Sequence, residues 1–146
     1  VTATLLVVHH TPSPPLADVL DAVLTGARDP SITGVDVVVR PALGASISDV
    51  LAADGFLFGT PANFGYMSGA LKHFFDTVYY PCSGAVAGKP WGGWVYGNND
   101  TAGATASIQR IARGWGLSQA SEVLELQSVD RERCLELGGT LAATLM

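Results

Sequence analysis

The feature that most restricts what this chain can fold into is an alternation. Short apolar, β-prone runs at residues 3–8, 35–39, 56–58, 91–96 and 122–126 each give way to a turn and then to a helical stripe. Such runs are too short for helices and too apolar for surface strands, so they read as strands buried on both faces of a parallel sheet. Parallel neighbours need crossovers, and the stripes supply them. Leu16, Val19, Leu20, Val23 and Leu24 form one stripe; Met67, Ala70, Leu71, Phe74, Phe75 and Val78 form another. Right-handed crossovers put helices on both sides, which gives an α/β fold: a doubly wound, five-stranded parallel sheet in a three-layer α/β/α sandwich.

The third run is the centre of the reading. Phe56, Leu57 and Phe58 make the strand, and Gly59 and Pro61 are expected to stop it, since Pro61 has no amide to give a neighbour. Asn63 and Gly65 can take backbone angles that other residues avoid, so amides of this turn can point together at a ligand. A helix is expected from Tyr66 to about Val78.

Polar turns at residues 9–15, 60–66 and 97–103 follow strands one, three and four. In the strand order 2-1-3-4-5, the loops after strands one and three flank the point where the winding reverses, and ligands bind there. In the first turn, Thr11 and Ser13 place hydroxyls beside a helix start near Leu16, with Pro14 and Pro15 in its first turn. That pattern suits an ordinary capped helix start, and also an anion cradle. Ser46 or Ser48 can cap a short helix at 45–52. A helix is expected at 104–115, and Asp130 is expected to cap a last one carrying Cys134, Leu137, Leu141 and Leu145 inward.

A chain of 146 residues suits one domain, residues 1–146. Its net charge of −5, with no basic cluster, argues against nucleic acid. Cys82 and Cys134 are too few for a disulfide framework, which points to a reducing, cytoplasmic setting. No run is long enough to cross a bilayer and none looks like a targeting signal. His9 and His10 point to opposite strand faces and have no further ligands at a metal-site spacing, so no metal is expected. No nucleophile–base pair is evident, and no catalytic side chain is assigned.

The run Gly59-Thr60-Pro61-Ala62-Asn63-Phe64-Gly65-Tyr66-Met67, with Lys72-His73-Phe74-Phe75-Asp76 and Gly88-Lys89-Pro90, resembles the flavodoxin-like FMN proteins. It is most similar to the branch holding NAD(P)H:quinone oxidoreductases of the tryptophan-repressor-binding-protein type and NADPH-dependent FMN reductases. The likeness covers residues 3–116 in order of elements. It implies an FMN-dependent oxidoreductase with NAD(P)H as co-substrate and a quinone or similar small molecule as acceptor. By the same resemblance, Thr11, Ser13 and the amide near Leu16 would hold the FMN phosphate. Pro61, Ala62, Asn63, Phe64 and Gly65 would lie along the flavin ring, and Asn98, Asn99, Asp100 and Gly103 would close its other side. Alternatives are a flavodoxin-type one-electron carrier, or a domain that has lost strong FMN binding.

Two departures bear on that expectation. Pro14 and Pro15 remove two amides that could bind phosphate. Asn99-Asp100 stands where the family has a Thr-Gly step, and the charge of Asp100 near a flavin would disfavour an anionic reduced ring. The apolar helix with Tyr79-Tyr80-Pro81 behind it offers a face for a homodimer, with a monomer the alternative.

Overall fold

The computed structural model describes residues 2–146. Strand β1 (Ala3–His9) leads into helix α1 (Pro14–Ala27), and β2 (Val35–Pro41) into α2 (Ile47–Ala52). Next come β3 (Gly55–Asn63), a two-residue strand β4 (Tyr66–Met67) and α3 (Gly69–Val78). After β5 (Pro90–Tyr96) and α4 (Thr101–Gly114), two short segments, β6 (Ser118–Gln119) and β7 (Leu124–Leu126), precede α5 (Arg131–Thr144). The parallel sheet runs β2-β1-β3-β5-β6, and β7 also pairs with β5. This is the expected flavodoxin-like order, with the fifth strand broken in two and the gap falling at residues 120–123.

Strand parity sorts the core. Leu6, Val8, Phe56, Phe58 and Trp91 face α2, α3 and α4, while Leu5, Val7, Leu57 and Trp94 face α1 and α5. The first side is aromatic. Phe58 meets Phe75 edge-on at 5.0 Å and stacks on Phe56 at 5.7 Å, and Phe75 meets Trp115 at 6.2 Å. The second side is tight because α1 and α5 touch through glycine: a Cβ on Gly138 would stand 1.9 Å from the Val23 carbonyl oxygen. An alanine there would force the helices apart.

Two boundaries differ from expectation, and one strand differs in burial. Gly59 and Pro61 do not stop β3, which runs on to Asn63 while β1 ends at His9. The His10 amide donates to the Gly59 carbonyl at 2.9 Å, so by alternation the missing Pro61 donor is directed past the last residue of β1. The proline therefore costs no ladder bond. Helix α3 starts at Gly69, not Tyr66, because Ser68 caps it by accepting from the Leu71 amide at 3.2 Å. Strand β2 is half-buried, since it lies at the sheet edge. Of the two serines expected as caps for α2, Ser46 takes the role, in a reciprocal capping box with Asp49.

Candidate functional site

Because β1, β3 and β5 are parallel and in register, with His9 opposite Gly59, Gly59 opposite Trp94 and Pro61 opposite Tyr96, the three turns leave from one rim. The turns that carry the expected site residues therefore open on the same side of the sheet, whereas α3 runs back toward the opposite rim and takes Tyr79 and Tyr80 with it.

At the first turn, α1 begins at Pro14 rather than Leu16, with Ser13 as N-cap and prolines at its first two positions. The Ala17 amide makes the first helical hydrogen bond, to Ser13 at 3.0 Å. The Leu16 amide thus lies ahead of the ladder, and Pro14 and Pro15 have no amide to offer. The Ser13 side chain makes no capping hydrogen bond, so its half-buried hydroxyl is uncommitted. Thr11 Oγ1 lies 2.8 Å from His9 Nδ1. One amide, two hydroxyls and a positive helix end form a donor set whose chemistry suits a phosphate.

The second turn is a hairpin that sequence reasoning missed. Ala62 pairs with Met67 and Asn63 with Tyr66, antiparallel. Between them Phe64 (φ 53°) and Gly65 (φ 67°) are both left-handed, as a two-residue hairpin of the I′ kind requires. Asn-Phe-Gly hides that signal, because Phe rarely takes such angles; the conformation costs about 1–2 kcal/mol. The Phe64 side chain, with a relative exposure of 107%, covers nothing. Hydrogen bonds hold the hairpin in place: Thr60 Oγ1 accepts from the Ser68 amide at 2.9 Å, and Ser107 Oγ from the Met67 amide at 3.1 Å. Pro61 is buried and backs the rim, whereas Asn63 and Phe64 stand on it.

The third turn is shorter than expected, since α4 starts at Thr101 and takes Gly103 into its first turn. Asp100 is the cap. Its backbone is left-handed (φ 49°), and its Oδ1 accepts from the Gly103 amide at 3.0 Å. Its other oxygen packs on the hairpin, so a Cβ on Gly65 would lie 2.3 Å from Asp100 Oδ2. A Cβ on Gly103 would likewise meet the Gly65 carbonyl oxygen at 2.3 Å. Two glycines let the loops touch, leaving the exposed carboxylate of Asp100 between them. Asn98 and Asn99 are exposed beside it. Thr101 Oγ1 donates to Glu125 Oε1 at 2.7 Å and ties this corner to β7.

Among the described residues, no three His, Cys, Asp or Glu side chains gather to hold a metal ion. Cys82 and Cys134 are buried, and burial pushes both thiols up, away from the reactive thiolate. Among the described residues, no helix is long and apolar enough to cross a membrane.

Known proteins resemble this chain in sequence and in fold. The family model for NADPH-dependent FMN reductase matches residues 8–128. A flavodoxin of Aquifex aeolicus is 35% identical over 99 residues, 64% of this chain and 52% of its own length. A probable NAD(P)H dehydrogenase (quinone) FQR1-like 2 of Arabidopsis thaliana is 32% identical over 120 residues, 78% of this chain and 39% of its own. The chain thus spans about half or less of the length of these curated relatives. Oxidised Flavodoxin 1 from Bacillus cereus superposes with a TM-score of 0.82 at 15% identity, covering 99% of this chain and 100% of that one, which bears on fold alone. The chain belongs to the NADPH-dependent FMN reductase family of flavodoxin-like flavoproteins.

Proposed function

We propose that the chain binds FMN across this rim and passes reducing equivalents from NAD(P)H to a small acceptor such as a quinone. The observation that carries the reading is the convergence, on one sheet edge, of an uncommitted helix start at Ser13, a strained exposed hairpin tip at Phe64 and the capped turn at Asp100. FMN, when bound, supplies the hydride and electron chemistry, so no nucleophile or metal is required of the protein.

The residues have distinct tasks. Ser13, Thr11 and the Leu16 amide hold the phosphate, at the positive end of α1. The amides of Phe64 and Gly65 at the tip of the Asn63–Tyr66 hairpin would reach the polar edge of the ring. Phe64 gains a partner for its exposed ring and keeps water from that side. Asn98 and Asn99 close the other side, and Asp100 sets a negative charge near it. A cytoplasmic location fits the two buried, unpaired cysteines.

Purified protein should take up FMN with quenching of flavin fluorescence, and should then oxidise NADPH or NADH when a quinone is present. Protein that leaves flavin fluorescence unchanged through a full titration would rule the reading out, and would favour a domain without flavin. The second reading, a one-electron carrier, is favoured by the identity to the Aquifex flavodoxin. Reduction in two separate one-electron steps, with no direct oxidation of NAD(P)H, would select the carrier.

A further inference from the structure

We propose that His9 is a positioning residue for the phosphate end of this site, holding the Thr11 hydroxyl so that its proton points outward to a phosphate monoester. The inference rests on the FMN reading above and names the residue that orients its first loop. His9 lies opposite Gly59, and Gly59 opposite Trp94, so the three form one row across β1, β3 and β5. By parity with Leu5 and Val7 the row faces the α1 and α5 layer. Gly59 brings no side chain, and the Trp94 indole fills the space: a Cβ on Gly59 would stand 1.9 Å from Trp94 Cζ2. Trp94 Nε1 is buried and finds no hydrogen-bond partner among the described residues. Half-buried His9 therefore closes the row where the strand becomes the loop, with Nδ1 2.8 Å from Thr11 Oγ1.

The proton count decides what that contact does. A threonine hydroxyl has one proton to donate and lone pairs to accept with. With no phosphate, either atom can be the donor. Once the hydroxyl proton turns to a phosphate oxygen, Oγ1 must accept from His9, so the Nδ1–H tautomer is selected. A neutral ring suffices. Burial, and then the neighbouring charge of His10, hold His9 below the ordinary histidine value of 6.5, so the ring is neutral at pH 7. The hydroxyl matters more here than in a glycine-rich loop, because Pro14 and Pro15 leave few other donors.

The test compares FMN with riboflavin, which lacks the phosphate, by fluorescence titration of the intact chain. His9→Leu should weaken FMN about tenfold and leave riboflavin unchanged, the loss of one hydrogen bond to a charged group. His9→Asn, whose amide N–H can stand in for Nδ1–H, should recover most of the affinity. Thr11→Val should cost as much as His9→Leu, and the double variant no more than Thr11→Val alone. Equal losses for both flavins, additive losses, or full FMN affinity in His9→Leu would overturn the proposal. Where His9→Leu does not fold, His9→Asn and Thr11→Val still decide it: Thr11→Val with unchanged preference for FMN over riboflavin overturns it. Wild-type protein that binds neither flavin sinks the FMN reading itself, a result distinct from wild-type binding with no effect at His9.

Discussion

Gly65 and Asp100 occupy one space between them: a Cβ built on Gly65 would lie 2.3 Å from Asp100 Oδ2. Gly65 is also left-handed, so an L side chain is disfavoured there twice over, by its backbone angle and by its neighbour. Gly65→Ala should lower stability by about 1–3 kcal/mol in urea titration and weaken FMN binding, because the hairpin must lift off the α4 cap. A variant as stable as the parent with unchanged affinity would show that the two loops are not packed as described.

Asp100 carries two separable roles. As a cap it accepts from the Gly103 amide, which Asn can also do; as a charge it would stand beside the flavin in the proposed complex. Asp100→Asn should keep the stability and raise the midpoint potential of bound flavin, on the order of tens of millivolts. Asp100→Ala should raise the potential similarly and also lose about 1 kcal/mol of stability. Potentiometric titration of all three proteins checks this, and an unmoved potential would place the carboxylate away from the ring.

Phe64 sets stability against binding. Its left-handed backbone is strained by about 1–2 kcal/mol, and Phe64→Gly removes that strain while adding the disorder of glycine to the unfolded chain, worth about 0.5–1 kcal/mol. The variant should therefore fold as well as the parent or slightly better in urea titration. Its FMN affinity should fall all the same, since the aromatic face is gone. Unchanged flavin affinity would mean that the exposed ring serves something else.

His9 predicts a pH dependence with a definite sign. Its native pKa lies below the unfolded value of 6.5, so between the two the unfolded chain binds more protons. The contribution is whole above pH 6.5 and is lost as pH falls through the native pKa. Without flavin, the wild-type protein should lose more stability than His9→Asn between about pH 7 and pH 5. Parallel urea midpoints across that range for the two proteins would contradict it.

Much of the architecture was legible beforehand, for physical reasons that particular residues make plain. Leu5 to Val8 and Phe56 to Phe58 are apolar at every position, which only a strand covered on both faces tolerates, and this points to the layers, while the strand order follows from the likeness to flavodoxin-like proteins. Asp130 before the last stripe marked a helix start, and its carboxylate does accept from the Arg133 amide at 3.2 Å. The broken edge strand was not legible, because residues 118–126 carry no interruption that composition reveals.

The pattern of apolar runs and helical stripes, by itself, determined the parallel sheet, its three layers and the strand ends from which the turns with Ser13, Asn63 and Asp100 leave, since burial is a sum over local periodicity. Only the tertiary structure decided that Pro61 remains in a strand, that Phe64 and Gly65 turn a hairpin, and that Asp100 packs against Gly65. Each depends on where a neighbour stops or how closely two loops approach, and such distances are written in no single stretch of chain.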